Sequence, residues 1–239
     1  MTPPNDLLAN PKPDRAPTAE EAALIIAQTA QANAEARKAA NEADDAANTA
    51  AISRLALQQQ ERDVADLLAG DNYHCVYRFT GGIDESSVKL AIDRLTAWHR
   101  MYPHRAMQII FTSEGGNVTE GMALFDYITF LIAEGHEITT SVSGAALSMA
   151  GILLQAGSIR TMGPEAWLML HEASFRAQGN WGEMKDTVGW VEQIIERILR
   201  ILATRSTMTI EEIRAKWDRT NWWLSSDMAL AKGFVDVVR

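Results

Sequence analysis

Cysteine, positive charge and long apolar runs are all in short supply in this sequence, and each shortage excludes a class of function. With one cysteine, Cys75, in 239 residues, neither an internal disulfide nor a cysteine metal cluster is available, which fits a reducing compartment. Its expected place is a buried, small apolar position beside Val76 and Tyr77. Lys and Arg number 22 against 31 Asp and Glu, a formal net charge of -9 at pH 7. Phosphate binding needs clustered Lys and Arg, so nucleic acid is excluded as a partner. No apolar run approaches the ~20 residues of a membrane-spanning helix, and the N-terminus has no basic region followed by an apolar stretch. The expectation is a soluble, cytoplasmic chain without a membrane partner.

What is present divides near residue 70. Five of the seven prolines fall at Pro3, Pro4, Pro11, Pro13 and Pro17, where they block helix and leave little apolar surface to bury; residues 1–19 read as a disordered tail. Glu20 to Ala69 contains neither proline nor glycine and is dominated by Ala, Glu, Gln, Asn and Asp. Residues 20–70 therefore read as a long, Ala-rich helical extension, solvated or loosely self-associating. Residues 71–239 carry apolar segments enough for one sizeable core.

In that remainder, Met107–Phe111 and Ile138–Val142 are short, β-branched or aromatic, and bounded by turn residues, as strands are. Each precedes a segment of helical period. The first begins at Asn117 and Glu120, spaced as a capping pair, and ends before Gly135; the second runs from about Ala146 to Gly157. Glu183–Thr204 reads as a strongly amphipathic helix, and Thr209 with Glu212 as a capping box for another. A short helix ends at Gly233 before a strand at 234–238. Repeated strand-helix units predict an α/β fold with a largely parallel sheet.

Chemistry gathers at two turns and one strand end. Ser113-Glu114-Gly115-Gly116-Asn117 joins a strand to a helix, and paired glycines let backbone N–H groups approach a ligand. Gly144 to Ala150 also lies between strand and helix, placing Ser148 at a helix N-terminus, where amides and the dipole favour developing negative charge. Alone, this motif fits equally a serine packed among small residues. His171 adds weight, because it follows the apolar run Trp167-Leu168-Met169-Leu170 and emerges at the carboxyl edge of the sheet, where sites in open α/β folds collect. A serine and a histidine at neighbouring edges can meet as nucleophile and base. His74, His99, His104 and His136 lie near element ends and read as solvated surface residues.

Taken in order, these segments resemble a known family. Ser113-Glu114-Gly115-Gly116 is similar to its Ser-Pro-Gly-Gly turn, Ala146-Leu147-Ser148-Met149-Ala150 to its Ala-Ala-Ser-Met-Gly nucleophile motif, and Leu168-Met169-Leu170-His171 to its Val-Met-Ile-His strand. Ser225 to Asp236 is similar to its closing Ser-Ala-Glu-Glu-Ala-x-x-x-Gly-Leu-x-Asp stretch. The family is the Clp protease proteolytic subunit, and the resemblance runs from about Val76 to the C-terminus. It implies a ClpP/crotonase-type fold, a serine endopeptidase without metal or cofactor, and a homo-oligomer of two stacked seven-membered rings. It also implies an AAA+ unfoldase partner and unfolded proteins or peptides as substrates. Carried over by position, Ser148 is the nucleophile, His171 the general base, and the N–H groups of Gly116 and Met149 the oxyanion hole.

The chain departs from the family pattern where the triad aspartate is expected, shortly before a Phe-Leu-Ser that opens the last helix; here stands Asn221-Trp222-Trp223-Leu224-Ser225. By position Asn221 is the third member, able to accept a hydrogen bond from the imidazole but without a charge. Asp218, one helical turn earlier, is the alternative, and Glu172 a poorer one because adjacent strand residues face opposite ways. Arg219-Thr220 replaces the acidic-basic pair that links the family's rings, and the first 70 residues have no counterpart. Two other readings stay open: a catalytically weak subunit filling a structural place in a ring, and a phage-type relative that processes capsid proteins, with the Ala-rich extension as an assembly segment. A crotonase-like CoA enzyme shares the fold but not the Ser148 and His171 pairing.

Overall fold

The computed structural model describes residues 18–175 and 178–239; most of the expected N-terminal tail, residues 1–17, lies outside them. The chain divides into two compact units, Met1–Asp66 and Leu67–Arg239. In the first, helix α1 (Ala19–Ala69) runs without interruption and buries none of its residues, as its want of an apolar face leads one to expect. Among the described residues no helix is long and apolar enough to cross a membrane.

The second unit holds a seven-stranded, mostly parallel sheet. Strands β1 (Val76–Ile83), β2 (Met107–Gly116), β3 (Ile138–Leu147), β4 (Ile159–Met162) and β7 (Val237–Val238) lie side by side in that order, and β5 (Trp167–Leu170) pairs with β3 and with β6 (Trp222–Ser225). All pairings are parallel except β5 with β6. Helices α2 (Glu85–Met101), α3 (Val118–Ala133), α4 (Met149–Leu153), α5 (Trp181–Thr204), α6 (Ile210–Trp217) and α7 (Ser226–Ala231) connect them, with a 3₁₀ turn at Leu154–Ala156. Helix α2 shows the local logic. Asp84 Oδ1 accepts from Ser87 N at 2.8 Å while Ser87 Oγ accepts from Asp84 N at 3.0 Å. This capping box starts a helix whose buried residues, Val88, Ala91, Leu95 and Trp98, recur at helical spacing. The same device, Asn180 with Glu183, starts α5, and Thr209 with Glu212 starts α6.

Strands β2 and β3 extend past the expected Phe111 and Val142 because both continue through bulges. Phe111 pairs with Val142 but Ser113 with Ala146, so β3 carries two extra residues, Ser143 and Gly144. There Gly144 adopts φ 73° and Thr112 Oγ1 donates to Ser143 O at 2.7 Å. Beyond this kink β3 changes partner: Thr139–Val142 pair with β4, and Ala145–Leu147 with β5. Bulges of this kind re-aim a strand next to a site.

Trp222–Ser225 forms β6, since its alternating buried and exposed residues suit an edge strand, and Ser225 then caps α7, the last helix. Two local expectations are corrected. The closing strand is only Val237–Val238; Phe234 and Val235 are buried outside the ladder. His136 is buried, not solvated, because both ring nitrogens find partners, Nδ1 on Arg105 O at 2.8 Å and Nε2 on His99 Nδ1 at 2.9 Å. Cys75 is buried as expected. The C-terminus is fixed by Arg160, whose buried guanidinium reaches Gln155 Oε1 at 2.7 Å, Gly233 O at 2.8 Å and the Asp236 carboxylate at 2.5 Å. Partial burial alone would raise the Asp236 pKa, but the hydrogen bonds and charge of Arg160 prevail and hold it below the usual carboxylate value.

Candidate active site

The switch of β3 from β4 to β5 sets the geometry of the site. Leu147 lies opposite Met169 in the parallel ladder, and one residue further Ser148 N donates to Met169 O at 2.8 Å. The chain turns sharply there: Ser148 has φ 55° and ψ −124°, a conformation costing a non-glycine residue about 1–3 kcal/mol. The turn is pinned by that last rung and by Gly151 N donating to Ser148 O at 3.0 Å. A strained strand-to-helix turn of this sort lifts a nucleophile clear of the sheet. On the neighbouring strand, His171 follows directly after β5, and its Nε2 lies 2.7 Å from Ser148 Oγ. Sheet register alone therefore brings together two residues 23 positions apart.

The glycine pair supplies the closest contact. Gly115 has φ 95° and Gly116 φ 151°, both open to glycine at little cost. A Cβ on Gly115 would fall 2.6 Å from Leu147 O and 2.7 Å from Ser148 Cβ, so the Ser148 turn rests directly on this residue. A Cβ on Gly116 would fall 2.3 Å from Ile83 O. Sequence reasoning identified the pair but not the support that Gly115 gives to Ser148; the motif Ser-x-Gly-Gly was the available signal. The Gly115 N–H is occupied, donating to Ser113 Oγ at 3.1 Å. Met149 is the first residue of α4, so its N–H has no partner within the helix.

Beside Ser148 and His171 a narrow apolar cleft is lined by Val118, Met149, Ile152, Leu170, Ala173 and Ile198. It shares Val118 with a groove of about 150 Å³ that also takes in Met122, Trp190 and Ile194.

The far side of the imidazole differs. Asn221, exposed at the start of β6, lines a cavity of about 330 Å³ together with His171, Glu172, Trp217, Arg219 and Thr220. Among the described residues neither Asn221 nor Asp218 makes a hydrogen bond to His171. Trp217 lines the same cavity, while its indole N–H is buried without an acceptor among them. Asp218 caps α6 and lines a separate depression with Glu172, Glu211 and Arg214.

The ordered motifs, the mostly parallel sheet with its switch of partner, and the Ser148–His171 contact agree with comparison at the level of families: a sequence model of the Clp protease family matches residues 58–239. The chain belongs to the Clp protease family of ClpP-like peptidases.

Proposed function

We propose that this chain is a serine endopeptidase in which Ser148 attacks the scissile carbonyl and His171 takes its proton. The observation that carries the reading is the 2.7 Å approach of Nε2 to Oγ, made at a turn where Ser148 holds φ 55°, a strained conformation of the kind that collects at active sites. With Nε2 accepting from the serine hydroxyl, His171 must carry its remaining proton on Nδ1. As Oγ bonds to the carbonyl carbon, that proton count rises to an imidazolium, which then protonates the leaving amine. By the family motif the oxyanion falls to the amides of Gly116 and Met149, and the place of Met149 as first residue of α4, with no helical partner for its N–H, supports that role. Asn221 is assigned as the third member by its position in the family motif and because it lines a cavity together with His171.

Family membership supports an oligomer of stacked rings, an AAA+ unfoldase partner and unfolded polypeptide substrates. The long helix, which buries nothing, favours an extension separate from the peptidase domain. A chain lacking residues 1–66 is expected to stay soluble and oligomeric by native mass measurement; insoluble or monomeric product would make the helix integral. A fluorophosphonate probe tests the central reading. Labelling of the wild type and its loss in Ser148→Ala are expected, and an unlabelled wild type would favour the alternative of a catalytically weak ring subunit.

A further inference from the structure

Away from Ser148 and His171, which do not line it, an open cleft of about 620 Å³ lies between α3, the 3₁₀ turn and the C-terminal end of α5. This is the size of a small-molecule site. Its walls are apolar at Phe125, Ile132 and Ile201 and cationic at Arg197, Arg200 and Arg205, and among the described residues no carboxylate lines it. In a chain of net charge -9, three arginines around one cleft without an acid run against the composition. Glu196, next to Arg197 in the chain, is engaged with Arg214, and Asp236, whose charge reaches Arg205, with Arg160. Arg205 is the most telling of the three. Its Nη2 donates to Gly157 O at 2.7 Å, yet its Nε is buried with no acceptor among the described residues. Burial, then the charge of Arg160, lowers its pKa against a partial offset from Asp236. The half-buried guanidinium thus has one main-chain oxygen as its acceptor among the described residues, and it lines a cleft in which no carboxylate balances its charge.

We propose that this cleft binds an apolar carboxylate, an acyl or peptidyl chain whose terminal carboxylate is held by Arg205 and Arg200 while its body lies on Phe125, Ile132 and Ile201. The guanidinium fork suits carboxylate and phosphate alike. The apolar floor decides between them, since a free phosphate or a nucleotide's sugar and phosphates would leave it uncovered. The proposal does not depend on the peptidase reading.

Isothermal titration calorimetry on the full chain tests it, with sodium octanoate and N-acetyl-leucyl-leucine as probes, and with octanamide and inorganic phosphate as ligands that each lack one half of the chemistry. Saturable binding of at least one carboxylate is expected, with octanamide and phosphate at least tenfold weaker; the tighter carboxylate identifies the source, fatty acid or peptide terminus. Arg205→Met should weaken binding at least tenfold. Thr129→Trp should do the same by filling the cleft from the exposed surface of α3, and it carries the test if thermal melting shows that Arg205→Met does not fold. The proposal is overturned if neither carboxylate binds, if octanamide or phosphate binds as tightly, or if binding survives the substitutions in folded protein.

Discussion

On one side of the His171 ring everything is fixed by backbone. Ser148 is delivered by the β3–β5 register, held in its strained turn by the Met169 carbonyl, and supported from beneath by Gly115. On the other side lies a cavity of about 330 Å³ bordered by Asn221, Thr220 and Trp217. Ser148 and the strand end that carries His171 are thus set by main-chain geometry, whereas in the proposed mechanism the orientation of His171 is left to a side chain just before an edge strand. A fold of this kind can lose the charge of its third member without disturbing the pairing of the other two, because no ladder or cap depends on it.

The comparison breaks most simply at Ser148. If the fixed side carries the chemistry, Ser148→Ala should reduce hydrolysis of a fluorogenic peptide to background, a fall of up to about 10⁶-fold. Fold and assembly should survive, since only a hydroxyl is lost. His171→Ala should cost nearly as much, because nucleophile and base act as a unit. Wild-type turnover by the Ser148→Ala chain would refute the assignment, and strong probe labelling in the His171→Ala chain would remove the base.

A smaller but sharper loss is expected at Gly115. Alanine there must occupy φ 95° with its Cβ 2.6 Å from Leu147 O. The turn must shift, and a displacement of about 1 Å at the reacting group costs on the order of 10²-fold. Gly189→Ala is the control. It sits mid-way along α5 with nothing within 4 Å of the added Cβ, and should be neutral or stabilise by about 0.5–1 kcal/mol. Peptidase rates and thermal melts of the two variants check this; equal effects would show that Gly115 does not support the nucleophile.

The same division governs how much could be read from sequence. Ser148, His171 and the glycine pair were legible because each sits where a periodic segment ends, and pattern alone puts strand ends at one edge of a sheet. The long helix was legible from composition. The bulge at Ser143–Gly144 was not, because nothing local distinguishes a strand that continues through a glycine from one that stops. The partner switch it produces is likewise a property of three strands and not of one. β6 was hidden by its four-residue length and by a family pattern that led directly into a helix. His136 was misread as solvated because its partners, His99 and Arg105 O, lie more than thirty residues away.

The open side of the ring yields the smallest effects and the most information. Asn221, with a single carbonyl oxygen to offer, lines a cavity with His171, and among the described residues no hydrogen bond joins the two. Rotation of Asn221 toward Nδ1 would fix the tautomer that leaves Nε2 free to accept the serine proton, but would leave the imidazolium without a counter-charge. Asn221→Asp supplies that charge together with a second oxygen, and is expected to raise turnover by about tenfold or more, short of the ~10⁴-fold that the reverse exchange costs in a chymotrypsin-type enzyme. Asn221→Ala should lower turnover several-fold. Asp218→Ala should leave it unchanged, because Asp218 borders the depression shared with Glu211 and Arg214 instead of the His171 cavity. Steady-state rates for the three variants check all of this together. A collapse confined to Asp218→Ala would move the third member to that residue, and indifference to every substitution would leave a Ser148–His171 dyad working without one.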